Sequence, residues 1–213
     1  MRTSIVTLFA STALIAVPAT AAGFSGPRAE VRGGFDRTTV DLSYDDGVDS
    51  LSGDDHKDGF NLGAEVGYDA LVGKGVVAGA YAGVEFATTK TCSEVFGNDK
   101  ACLKLGRNFT LGARLGANVS PSTLIYVKGG YSNGQLKAKY TNFDDSTLNA
   151  SDHANRGGFH FGAGAEVLVG SNGYVRAEYV RTNYNDYDYS DSDFAAGIDT
   201  HRDQVLLGFG MRF

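Results

Sequence analysis

Eight separate stretches of the chain place apolar residues at every second position, the period of a β-strand whose two faces meet different surroundings. In the first, Ala29, Val31, Gly33 and Phe35 alternate with Glu30, Arg32, Gly34 and Asp36; in the second, Phe60, Leu62, Ala64, Val66 and Tyr68 alternate with Asn61, Gly63, Glu65, Gly67 and Asp69. The third sets Ala80, Ala82, Val84 and Phe86 against Tyr81, Gly83 and Glu85. In the fourth, Phe109, Leu111, Ala113 and Leu115 oppose Asn108, Thr110, Gly112 and Arg114, and in the fifth Ile125, Val127 and Tyr131 oppose Tyr126, Lys128 and Ser132. The sixth, seventh and eighth run through Phe159–Val167, Val175–Thr182 and Gln204–Phe213, with His160, Glu166, Arg176, Glu178 and Arg212 on the polar side.

The placement of charge separates a membrane barrel from a soluble sandwich, which alternates too. The polar face carries Glu30, Glu65, Glu85, Glu166 and Glu178 with Arg32, Arg114, Lys128, Arg176 and Arg212, five acids against five bases. Charges on the apolar face, Arg37, Arg107 and Arg181, all fall at one end of their strands. An apolar band with charges only at its rim suits lipid, where a charge at mid-depth costs about 2 to 4 kcal/mol. The polar face is then the lumen, which in a barrel of about eight strands is only wide enough to be filled by side chains. The expected fold is all-β: an eight-stranded antiparallel up-and-down transmembrane β-barrel.

Connection lengths alternate in the same way. Those at Val72 to Lys74, Ser120 to Ser122 and Gly170 to Asn172 are short, whereas Thr39 to Lys57, Lys90 to Lys104, Gln135 to Arg156 and Asn185 to Arg202 are long, polar and expected as loops. Short periplasmic turns and longer extracellular loops are the outer-membrane arrangement, and an even strand number puts both termini in the periplasm. Phe35, Phe60, Phe86, Phe109, Tyr131 and Phe159 gather near the long-loop end as an interfacial girdle.

Residues 1–22 read as a cleaved secretory signal: Arg2, an apolar stretch from Ile5 to Val17, then Ala19-Thr20-Ala21 as a cleavage site. The barrel domain is expected to be residues 23–213. The net charge of -6 argues against nucleic acid as a partner. Cys92 and Cys102 are close in sequence and exported to an oxidising compartment, so they are expected to pair. A two-cysteine metal site lacks a nearby His.

The final strand, Val205 to Phe213, the Ile125-Tyr-Val-Lys-Gly-Gly-Tyr131 segment and the Phe161-to-Glu166 run resemble the small outer-membrane β-barrels related to the OmpA transmembrane domain, OmpX, Ail and the opacity proteins. The resemblance covers the mature chain. It implies that Phe213 is part of the signal read by the barrel assembly machinery. Since the sequence stops at Phe213, no periplasmic peptidoglycan-binding domain and no wall-anchoring role are expected.

Site chemistry is sparse. His56, His153 and His201 fall in expected loops and His160 on the lumen face, and no nucleophile-base-acid set can be drawn from spacing. The acidic clusters around Asp45 to Asp55 and Asp186 to Asp193 lack calcium-loop spacing and read as solvated surface. Arg37, Arg107 and Arg181 are placed to contact lipid head groups or simply to snorkel. The tyrosine- and aspartate-rich segment from Tyr184 to Phe194 is a binding surface or a strand protruding above the membrane. No catalytic, cofactor or metal residue is expected, and the partners are outer-membrane lipids and the assembly machinery, with the surface ligand unknown. The sequence favours a monomeric, non-enzymatic envelope barrel. Its alternatives are a narrow ion or solute channel, a lipid- or ester-modifying enzyme and a surface adhesin.

Overall fold

A computed structural model describes residues 23–45, 50–88, 90–94, 100–141, 150–191 and 194–213; the expected signal segment lies outside them. The strands are β1 (Gly26–Asp45), β2 (Ser50–Gly73), β3 (Val76–Ala87), β4 (Lys90–Glu94), β5 (Lys100–Ser120), β6 (Thr123–Thr141), β7 (Ala150–Val169), β8 (Gly173–Asp191) and β9 (Phe194–Arg212). Both β3 and β4 pair with β5, so these two segments make one stave and the barrel has eight. Each stave pairs antiparallel with the staves next to it in sequence, and the β1–β9 and β3–β5 ladders close the ring. The architecture is a closed eight-stranded antiparallel meander.

Its burial is inside-out relative to a water-soluble protein. Leu62, Leu111 and Leu207 are about two-thirds exposed on the outer surface, while Glu65 and Glu166 are buried on the alternate face. The alternation read from the sequence therefore sorts side chains between an apolar exterior and a polar lumen. Tight turns join the strands at one end, and Gly75 and Gly170 there adopt positive φ (76° and 69°), which a side chain disfavours.

The four polar connections correct one expectation. They are not mainly loops: strand continues through Asp45 and from Ser50 in the first, through Glu94 and from Lys100 in the second, through Thr141 and from Ala150 in the third, and through Asp191 and from Phe194 in the fourth. The physical reason is that period two reports two different surroundings. Above the apolar band both faces of a strand meet water, so the pattern vanishes although the ladder goes on.

Candidate functional site

The lumen is organised in layers from the tight-turn end upward. Gly23 and Gly26, with φ of 87° and 110°, turn the segment before β1 so that Phe24 enters the lumen mouth. There Phe24 packs with Val77, Leu124, Tyr126 and Leu168 in an apolar cap. The Arg212 guanidinium lies 5.5 Å above the Phe24 ring and 5.3 Å from that of Tyr174.

Above the cap stand seven buried acids and seven buried bases among the described residues. Asp69 accepts two bonds from Arg114, at 2.9 and 2.6 Å, and one from Arg212 at 2.8 Å. Glu166 joins the same two arginines, with bonds of 3.0 Å from Arg114 and 2.6 Å from Arg212. At mid-height, Glu65 accepts from Arg28, Arg32, Lys128 and Arg176 at 2.8, 2.6, 3.0 and 3.2 Å. Lys128 and Arg32 also donate to Glu178, and Arg176 donates to Glu30. Higher still, Glu85 takes bonds from Arg32 at 2.7 Å and Gln204 at 3.1 Å, and Arg202 grips Asp36 through two bonds of 2.7 and 2.6 Å. Arg28, 3.3 Å from Asp69 and bonded to Glu65, and Arg202, 3.5 Å from Glu85, tie the layers into one network.

Three tyrosines are built into this wall, each directly across a ladder from a glycine: Tyr81 from Gly112, Tyr126 from Gly164 and Tyr174 from Gly210. A Cβ at Gly164 would lie 2.5 Å from the Tyr126 hydroxyl, so the flat ring needs the missing side chain. In return Tyr126 donates to Glu178 at 2.7 Å and Tyr174 to Glu30 at 2.9 Å. Lys128 Nζ lies 4.1 Å from the Tyr81 ring centroid. Toward the far end, the Tyr184 ring reaches past β7 to Gly134 on β6, where a Cβ would sit 3.2 Å from it.

All ten charged residues read from the sequence as a lumen set, Glu30, Arg32, Glu65, Glu85, Arg114, Lys128, Glu166, Arg176, Glu178 and Arg212, are in this network. Sequence reasoning left out Arg28, Asp36, Asp69 and Arg202. The signal for Asp36 and Asp69 was present, since both continue the polar side of their alternation. Arg28 precedes the first apolar run, and Arg202 ends a polar segment that shows no alternation.

His160 is buried, hydrogen-bonded through Nε2 to Tyr81 and through Nδ1 to Ser132 at 2.8 Å. The second partner of the ring is thus a phenol rather than a carboxylate, and Ser132 is fully enclosed. His56, His153 and His201 stand in strands rather than loops. Among the described residues no group of three or more His, Cys, Asp or Glu could hold a metal.

On the outer rim Arg37 makes a two-bond pair with Asp58, at 2.7 and 2.9 Å. Arg181 lies 3.9 Å from Asp203, which also accepts from Tyr179. Arg107 stacks over Phe109 at 5.3 Å and donates to Gln135. Phe35 meets Phe60, and Tyr131 meets Phe159, edge to face within the girdle. Cys92 and Cys102 are direct partners in the β4–β5 register.

A lipid-facing exterior around an ion-paired lumen defines an integral outer-membrane β-barrel. The chain belongs to the family described as outer membrane protein beta-barrel domain, which it matches over residues 7–213. It is 30% identical over 125 residues to the 31 kDa outer-membrane immunogenic proteins of Brucella melitensis and Brucella suis, a match covering 57% of this chain and 52% of theirs. The chain thus spans about half the length of these curated relatives. Among solved structures it is similar in fold to the outer membrane protease OmpT of Escherichia coli, with a TM-score of 0.51 at 11% identity, covering 88% of this chain and 97% of that one. Ail of Yersinia pestis gives 0.43 at 17% identity, covering 89% and 100%.

Proposed function

We propose that this protein is a non-conducting, non-enzymatic barrel of the outer membrane that contributes to envelope structure and presents its long strand extensions for interaction. The observation that carries the reading is the filling of the lumen: balanced charges linked in one network, with Phe24 beneath. An ion crossing this path would have to displace buried guanidinium-carboxylate pairs, and breaking one such pair costs about 3 to 5 kcal/mol. Single-channel recording of the refolded mature protein in planar bilayers tests this, with a Glu85→Gln variant beside it. Silence in both is expected. Discrete steps in the wild type that change with the variant would replace this reading by the second one, a narrow ion or small-solute channel.

The same reading places the tight turns and both termini in the periplasm and the extensions outside the cell, with residues 1–22 removed on export. Surface-applied protease should trim the extensions in whole cells and leave the barrel intact. Phe213 serves the barrel assembly machinery: removing it should lower insertion in cells while leaving refolding of the purified protein unchanged. Cys92 and Cys102 form a disulfide across their ladder, checked by thiol alkylation with and without reductant. Arg37, Arg107 and Arg181 sit at head-group level, where changing all three to Gln should lower the lipid that co-purifies with the protein. The surface reading includes an adhesin, which would lose binding when the extensions are shaved.

A further inference from the structure

Among the described residues, the ladders do not close the barrel along the whole length of the strand extensions. The β7–β8 ladder ends at Gly158–Tyr184, although β7 begins eight residues earlier at Ala150 and β8 runs on to Asp191. On the other side β2 pairs with β3 up to Asn61–Ala87, followed by one backbone bond from Thr88 to Phe60, while β2 begins at Ser50 and, among the described residues, β4 is paired with β5 alone. Two seams therefore split the extension. One four-stranded sheet is β8-β9-β1-β2, paired up to Asp191–Phe194, Asp45–Ala195 and Asp45–Ser50. The other is β7-β6-β5-β4, paired up to Tyr140–Ala150, Lys100–Thr141 and Glu94–Lys100. Register shifts at 105–108 and 184–187 fall near the level where the staves part, where extra residues bend and twist a strand.

The two sheets have opposite charge. Residues 37–45, 50–59, 184–191 and 194–203 carry ten aspartates against three bases, whereas residues 90–94, 100–107, 133–141 and 150–157 carry seven bases against two acids. Counting the connecting tips leaves the signs unchanged, at thirteen acids against three bases and seven bases against five acids. The sheets occupy opposite halves of one rim. Copies inserted in the same direction can therefore set the acidic half of one against the basic half of the next by rotation about the membrane normal alone.

We infer that the split, charge-segregated extension is a docking surface for a second copy of this chain, acidic sheet against basic sheet. This rests on the proposal that the extensions stand clear of the lipid, but it is independent of whether the lumen conducts. The contact is heterologous, so it leaves a free acidic half and a free basic half at the ends of each assembly and builds files rather than closed dimers. The barrel itself remains a single-chain fold; what associates is folded molecules. Attraction between exposed charges is screened beyond about 8 Å at physiological ionic strength, so the association is short-ranged and weakens with salt.

Sedimentation velocity of the full mature protein in a neutral, density-matched detergent tests it at about 20 mM and about 0.5 M NaCl, where the screening length differs several-fold. The wild type should show concentration-dependent, faster-sedimenting species at low salt that vanish at high salt. A basic-sheet reversal (Lys100→Glu, Lys104→Glu, Lys137→Glu, Lys139→Glu) and an acidic-sheet reversal (Asp41→Lys, Asp54→Lys, Asp186→Lys, Asp188→Lys, Asp191→Lys, Asp199→Lys) should each abolish those species. An equimolar mixture of the two reversed proteins should restore them, since both sheets of one are now net acidic and both sheets of the other net basic. Heat-modifiable gel migration verifies that each variant is folded, and single-site versions of each reversal take over for a variant that is not. A wild type monomeric at low salt, association indifferent to salt, or a mixture that stays monomeric overturns the inference. Protease protection of the extensions in the free barrel would instead remove the surface reading beneath it.

Discussion

Replacing Glu65 by Gln is the sharpest test of how the lumen holds together. The side chain is fully buried and its two oxygens accept from Arg28, Arg32, Lys128 and Arg176, all within 3.2 Å. Gln keeps the shape and one acceptor but removes the charge, leaving seven buried bases facing six acids. Its amide also turns a donor toward a guanidinium or the ammonium. Breaking a buried ionic partnership in this way costs about 3 to 5 kcal/mol, mostly as uncompensated charge. If that account is right, removing one cation should recover much of the loss. Lys128 is the one to remove, since its Nζ is shared between Glu65 at 3.0 Å and Glu178 at 3.2 Å, and Glu178 keeps Tyr126 at 2.7 Å and Arg32 at 3.3 Å without it. Lys128→Met alone should be destabilising, and the Glu65→Gln/Lys128→Met pair should be more stable than Glu65→Gln by about 1 to 3 kcal/mol. The chain has no Trp, so urea titration in lipid vesicles is best followed by circular dichroism and gel migration. A Glu65→Gln protein within about 1 kcal/mol of wild type, or a double variant no more stable than the single, refutes the charge-balance argument.

Three other substitutions test the packing by the same unfolding assay. Gly164→Leu drives a side chain into Tyr126 and breaks its bond to Glu178; the expected loss is about 1 to 3 kcal/mol, against little change for a polar swap in the extensions. Leu111→Arg, on the outer face at 65% exposure, should cost about 2 to 4 kcal/mol in lipid, and a much smaller cost would mean that this face is not at mid-membrane depth. Phe24→Ala removes the ring from the apolar cap, with an expected loss of about 3 kcal/mol, and equal stability would show that the cap is not part of the folded barrel.

The sequence disclosed most where the two strand faces meet the most different media. Between Val31 and Phe35 or Ile125 and Tyr131, lipid on one side and charge on the other impose period two, so each strand and its inward residues could be read directly. The segment Ser50-Leu-Ser-Gly-Asp-Asp-His-Lys57 is strand as well, but its residues carry no alternation, so the sequence alone reads it as loop. Register was beyond the reading for a different reason. Which tyrosine lies over which glycine, and which arginine reaches Glu65 from across the lumen, depend on the closure of the ring and not on local pattern. The splitting of the rim is of the same kind: the charge bias of each segment is visible in the chain, yet only the ladders show that four acidic segments share one sheet and the basic ones the other.

The buried charges also pose a question of economy, because a well-packed apolar interior is often at least as stable as a buried ionic one. Stability alone therefore does not explain a lumen with fourteen charges. An apolar lumen would make both faces of every strand apolar, and the alternation would become runs of hydrophobic residues. Such runs approach the roughly 20 residues that span a bilayer as a helix. A chain bound for the outer membrane first has to cross the inner one, where a run of that kind would be retained. A central acidic or basic residue opposes helical insertion by about 2.5 to 3.5 kcal/mol. Glu65 and Asp69 interrupt the longest apolar stretch of β2, Arg114 that of β5 and Glu166 that of β7, each from the lumen side where lipid never meets it. The ion-pair network thus meets a demand of the unfolded chain as well as of the folded one: charges that oppose helical insertion lie inside the barrel, paired off against one another.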